Sequence, residues 1–227
     1  MTFAAGAGRS GPSEAAAVRT RFTLVAILLH WAVAASVLGL LASGLWMARA
    51  IRDPAQQAQA FEVYQLHKAF GLLVLVLTLL RLVWRLTHPP PPLPAGTPHW
   101  QRAASHAVHL ALYGLTIVVP LLGWLTVSAS PLGFPTVPFG LFEWPHLPVA
   151  WLGTDPEALE DWSKLGHRTL AYVAAGAIAL HIGAALKHQF VDRDGLVGRM
   201  GFGQVAPLSA VVARPGVVRD AGAAGGG

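Results

Sequence analysis

Four stretches of this 227-residue chain are apolar for long enough to cross a lipid bilayer, and they constrain its fold more than any other feature. They cover roughly residues 23–47, 64–86, 105–127 and 163–190, and each reaches or exceeds the ~20 residues that a membrane-spanning helix needs. Hydrocarbon offers no hydrogen-bonding partner, so a spanning segment satisfies its own backbone by coiling into a helix. The chain is 54% hydrophobic and only 12% charged, well to the apolar side of water-soluble domains. The expected fold class is an all-α membrane protein, a four-transmembrane-helix up-down-up-down bundle.

The formal charge of +5 would suggest a nucleic-acid partner in a soluble protein, but these cations gather at helix ends and in the tails, so membrane lipid is the expected partner and nucleic acid is not. Arg9, Arg19 and Arg21 precede the first span, Arg81, Arg85 and Arg102 flank the second connection, and Lys187, Arg193, Arg199, Arg214 and Arg219 follow the last span. All three groups fall on one side of an up-down bundle. The third connection carries Glu143, Asp155, Glu157, Glu160 and Asp161 instead, so the positive-inside rule expects both termini in the cytoplasm.

Residues 1–20 are rich in Ala, Gly and Ser without the apolar core of a signal peptide, and residues 201–227 end in a Gly/Ala run; both are expected to be flexible cytoplasmic tails around a membrane domain over 21–200. Pro89 to Pro92, followed by Pro94 and Pro98, cannot be helical and reads as a stiff strap between helices 2 and 3. The connection from Ser128 to Asp161 contains Pro131, Pro135, Pro138, Pro145 and Pro148 with Trp144 and Trp151 and is expected to cap the outer face at the membrane interface. Small residues on the outer helix faces would suit a homodimer as well as lipid contact. With no cysteine, the chain builds no disulfide, thiolate metal site or covalent haem attachment of its own.

Ionisable groups at apolar depth are costly and usually functional, which singles out His30, His67, His167 and His181. His167 and His181 share one helix fourteen residues apart, within ~40° of one face and ~21 Å apart along the axis. Depth supplies their partners. His30 and His181 lie similarly far from the cytoplasmic ends of helices 1 and 4, and His67 and His167 begin helices 2 and 4 on the outer side. Two histidine pairs without carboxylate or thiolate neighbours suit haem better than zinc, and a haem iron with histidine on both faces relays electrons. The competing readings are core histidines bonded to backbone carbonyls and a haem-free transporter or metal-binding membrane protein.

Several segments carry a family resemblance. Leu29-His30-Trp31, His67-Lys68-Ala69-Phe70-Gly71, Arg81 to Arg85 before the prolines, Ser105-His106-Ala107-Val108-His109-Leu110-Ala111-Leu112-Tyr113 and Gly166-His167-Arg168-Thr169-Leu170 together resemble the prokaryotic cytochrome b561 family over roughly residues 20–200. The resemblance implies two haem b groups, the inner one on His30 and His181 and the outer one on His67 and His167, in a bacterial inner membrane. It further implies electron transfer between the outer face and the quinone pool, with ubiquinone as acceptor and either superoxide or a redox protein as outer donor. A superoxide:ubiquinone oxidoreductase is the specific activity expected, and a cytochrome b anchor subunit of a dehydrogenase or hydrogenase is the alternative.

Lys68, Lys164 and Arg168 lie beside the outer histidines, where they would pair with haem propionates or form a positive funnel for an anionic substrate; Lys68 and Arg168 are the expected catalytic residues. On the cytoplasmic side His106 and His109 open helix 3 while Lys187 and His188 close helix 4. This polar cluster reads as a quinone site, and by the family resemblance His188 is the expected quinone contact.

Overall fold

Each apolar stretch is the core of one long helix in the computed structural model, which describes residues 21–93 and 96–201. The helices are α1 (Leu24–Ala50), α2 (Gln57–Thr87), α3 (His99–Ala129) and α4 (Pro156–Lys187). All four are long and apolar enough to cross a membrane, and no regular strand occurs among the described residues. The protein is thus an all-α, multi-pass membrane bundle.

Helices 2, 3 and 4 start well before their apolar stretches. Gln57, Gln59 and Glu62 open α2, and Glu157, Glu160 and Asp161 lie in the first turns of α4 rather than in the connection before it. Hydropathy marks the part of a helix that lies in lipid, whereas the helix itself continues into the polar interface. Local capping sets the true start of α4: Asp155 accepts the amide of Glu157, and Pro156 occupies the first turn, where its missing N–H costs nothing. Thr23 caps α1 in the same way, and its Oγ1 also accepts the indole N–H of Trp84 at 2.8 Å, tying the start of α1 to the end of α2.

The bundle has a proximal end, where α1 and α3 begin and α2 and α4 finish, and a distal end with the reverse. In sequence order α1 packs on α2, α2 on α3 and α3 on α4. α2 is the central helix and buries Ala60, Ala69, Leu72, Val74, Leu75 and Thr78. α1 is apolar around its circumference, and outward residues such as Leu28, Leu38, Leu80, Val83 and Leu110 are exposed. In water such a surface would aggregate; in lipid it is the solvated face.

At the distal end residues 130–155 form the cap. A bridge joins Thr136 to Trp144, the Trp124 indole donates to Pro145 O at 3.0 Å, and Phe70 and Phe61 pack against Phe139 and Phe134. At the proximal end a short 3-10 turn, Val197–Met200, folds back beneath the helices. Trp31 Nε1 donates to Met200 O at 3.0 Å, the Phe22 amide to Arg199 O at 3.4 Å, and Arg21 to Gly201 O. Gly201, expected in the tail, is therefore docked, because its carbonyl meets a guanidinium; the rest of the expected tails, 1–20 and 202–227, lies outside the described residues. Arg199 is 6% exposed and donates to Pro92 O at 2.6 Å, so it fastens the proline strap to the base of the bundle. Arg199→Ala is expected to remove this charged hydrogen bond at a cost of about 1.5–3 kcal/mol, read as a lowered thermal unfolding temperature of the detergent-solubilised protein.

Candidate cofactor site

The four intramembrane histidines meet in two pairs, at two depths. The ring centres of His30 and His181 lie 6.3 Å apart, and those of His67 and His167 lie 6.2 Å apart. His30 stands six residues after the start of α1 and His181 six before the end of α4. His67 and His167 stand ten and eleven residues into α2 and α4, so they sit within their helices rather than at the helix starts as expected. Both pairs use α4, which packs along α3 and not extensively along α1 or α2; the rings bridge these looser faces.

The separation itself is informative. A nitrogen–metal distance of about 2 Å on each side, plus about 1 Å from each nitrogen to its ring centre, separates two trans imidazole centres by about 6 Å. Both pairs have that spacing, and among the described residues no cluster of carboxylates accompanies either pair.

The distal rings are fixed by their other nitrogen. His167 Nδ1 lies 2.8 Å from Val119 O on α3. A carbonyl only accepts, so Nδ1 carries the proton and Nε2 keeps its lone pair for a metal, the tautomer that histidine ligands generally adopt. His67 Nδ1 lies 3.1 Å from Ser43 Oγ, whose own proton goes to Leu40 O at 3.2 Å. The hydroxyl therefore accepts from His67, which is left with the same free Nε2.

Glycine makes both contacts geometrically accessible. A Cβ on Gly123, one turn beyond Val119, would lie 3.1 Å from His167 Nδ1 and Cε1; a Cβ on Gly44, one turn beyond Leu40, would lie 3.2 Å from His67 Cε1. A side chain at either position would press on the ring and push it back by a few tenths of an ångström or more. This device recurs on α1 and α3, and the sequence alone does not distinguish these glycines from those that only pack helices. Its signal is a helix glycine four residues after the carbonyl that a ring must reach.

The proximal pair is held differently. His30 Nδ1 is buried without a hydrogen-bond partner among the described residues, and its ring packs edge-on against Trp31 at 5.3 Å. A third ring joins the pair: His109 on α3 lies 5.4 Å from His181, with Nδ1 2.6 Å from Ser105 O. α3 begins at His99, so His109 is three turns inside the helix rather than at its opening. An orphaned buried nitrogen and two rings at metal-bridging distance are a donor set that fits a haem iron.

Other expected residues are more dispersed. Lys68 Nζ donates to Pro135 O of the cap at 2.8 Å and lies over the Tyr64 ring at 5.3 Å, so the backbone of the cap holds it. Arg168 is exposed and makes no ion pair among the described residues, whereas Lys164 pairs with Glu160 at 3.3 Å. Arg49 and Arg52, which the charge reading passed over, add two exposed cations where α1 ends. At the proximal end His188 Nδ1 lies 2.6 Å from Asp194 Oδ2 and 3.3 Å from Asp192. A π-helical turn over His188–Asp192 and left-handed backbone at Arg193 bring Asp194 back onto the histidine, and the Leu196 amide at 3.0 Å orients its other oxygen.

The family model described as prokaryotic cytochrome b561 matches residues 21–203, the whole of the described bundle. The chain belongs to the prokaryotic cytochrome b561 family. It is similar to cytochrome b561 homolog 2 of Escherichia coli strain K12, 35% identical over 181 residues that cover 79% of this chain and 90% of that protein. Cytochrome b562 of Cereibacter sphaeroides is 33% identical over 181 residues, 79% of this chain and 94% of the relative. The probable superoxide oxidase CybB of Yersinia pestis is 28% identical over 180 residues, 79% and 95% of the two chains. Family membership makes the protein a b-type, haem-binding membrane cytochrome with an electron-transfer role.

The glycine device yields a direct test. Gly123→Val is expected to displace the His167 ring and lower the haem content of the purified protein. Ser43→Ala, which removes only the partner of His67 Nδ1, is expected to weaken haem retention by a smaller factor, on the order of 10–100-fold in affinity. Titrating haem into the stripped proteins gives both values.

Proposed function

We propose that this cytochrome carries two haem b groups, one on His30 and His181 and one on His67 and His167, and passes electrons from the outer face of a bacterial inner membrane to a quinone on the cytoplasmic side. The observation that carries the reading is the pair of ring separations, 6.3 and 6.2 Å, at two depths on one shared helix. When bound, each haem would supply a one-electron couple. The chain supplies the rest: α4 fixes the distance between the pairs, and the Ser43 and Val119 contacts orient the distal rings.

The donor we propose is superoxide, which becomes dioxygen on losing one electron. A quinone, with ubiquinone as the specific acceptor, needs two electrons and two protons, so two superoxide anions are consumed per quinol. Support at the distal end comes from exposed Arg49, Arg52 and Arg168, with Lys68 on the cap, a cationic group suited to draw in an anion. A relative carrying the name probable superoxide oxidase points the same way. At the proximal end, His188 backed by Asp194 is suited to hand a proton to a quinone oxygen, since the carboxylate holds Nδ1 and leaves Nε2 for exchange. Both termini lie in the cytoplasm in this reading, consistent with the basic residues of the proximal end.

Three measurements test it. The reduced-minus-oxidised absorption spectrum should show two b haems. Replacing His30 or His181 by Ala should remove one of them and replacing His67 or His167 the other; retention of both in any of the four variants sinks the ligand assignment. Purified protein given superoxide should reduce ubiquinone, and the Lys68→Glu, Arg168→Glu double variant should slow this severalfold with a weaker dependence on salt. An unchanged rate removes the cationic funnel from the mechanism.

A further inference from the structure

Two arginines stand inside the proximal half of the bundle without a counter-ion among the described residues. Arg81 and Arg85 lie one turn apart on α2, half-buried, with guanidinium carbons 5.2 and 5.7 Å from the centre of one ring, that of Tyr113 on α3. The ion pairs among the described residues involve only Lys164, Lys187 and His188 as cationic partners. α3 contains no acidic residue, and the single one on α2, Glu62, is at the opposite end. The acidic groups of the proximal end, Asp192 and Asp194, are engaged by Lys187 and His188.

Two guanidinium charges beside one ring at the edge of hydrocarbon repel each other and gain little from stacking. They call for a ligand that brings two negative charges. The guanidinium fork selects its chemistry, because it matches a carboxylate or phosphate with two parallel hydrogen bonds. Position narrows the source. Arg81 and Arg85 line a cavity with Trp84, His88, His109 and Tyr113. His109 is the ring 5.4 Å from His181, and Arg81 lies within electrostatic reach of both His30 and His181. His109, which lines the cavity, therefore links it to the proximal histidine pair.

We propose that Arg81 and Arg85, framed by Tyr113 and His109, bind the two carboxylates of the haem held by His30 and His181. The inference rests on reading that pair as a haem site. The two arginines then fix which edge of the haem faces the proximal end, and they set its potential, because neutralised carboxylates favour the ferric iron less than free ones do. Lys68 and Arg168 have no equivalent role for this haem, since they belong to the far end of the bundle.

The test uses the full-length haem-loaded protein in detergent. In Arg81→Gln, Arg85→Gln the proximal haem should be lost or, where it stays, its redox equilibrium should move toward the ferric form by tenfold or more, about 60 mV for one electron. The distal haem should keep its potential and serves as the control for folding. Arg81→Lys, Arg85→Lys should recover most of the shift, because charge is retained. Unchanged occupancy and potential of the proximal haem in the Gln variant overturn the proposal. So does a fall in co-purified phospholipid phosphate with both potentials intact, which would assign the arginines to lipid headgroups. Should the double variant lose both haems, Arg85→Gln alone decides by the same potential. His181→Ala separates this inference from its premise: if that variant keeps both haems the ligand pair is wrong, whereas if it loses one while the arginine variants change nothing, only the carboxylate clamp is wrong.

Discussion

An imidazole in hydrocarbon needs a partner for each nitrogen, and the architecture of this bundle follows from meeting that need. At the distal pair one nitrogen of each ring is answered by a backbone carbonyl of the neighbouring helix, directly for His167 and through the Ser43 hydroxyl for His67. Those carbonyls already serve helix ladders, so a ring reaches them only from the side, past the residue one turn on. Glycine at 44 and 123 clears that approach. Close packing of α3 on α4, the tautomer of both rings and the direction of their free nitrogens are consequences of the same contacts.

The proximal half is arranged differently. His30 keeps an orphaned nitrogen, His109 spends its Nδ1 on Ser105 and crowds His181, and a basic pair on α2 stacks over Tyr113. Both distal rings thus have a partner for Nδ1 on a neighbouring helix, whereas in the proximal pair His30 Nδ1 has none among the described residues.

The spans and the meeting of His30 with His181 and His67 with His167 were legible because lipid is a stringent solvent: it makes long apolar runs and rare polar residues conspicuous, and helix rise converts position into depth. The glycine contacts were not legible, since a helix glycine looks alike whether it faces lipid, another backbone or a ring. Helix starts were misplaced because α2, α3 and α4 continue past the membrane boundary that hydropathy detects. Lys68 was assigned by proximity in sequence, and its tie to Pro135 depends on a cap whose path no periodicity describes. Asp194 escaped notice for a similar reason: a π turn and a left-handed Arg193 return it to His188.

One histidine of each pair is carried by α4, so the segment between His167 and His181 acts as a ruler with angular as well as linear divisions. Inserting or deleting a single residue there rotates one histidine by ~100° relative to the other and turns it from the bundle interior toward lipid. The number of residues between the two is thus fixed by helix geometry. Length in this stretch is inherited as a discrete quantity, and drift in sequence must pass around it.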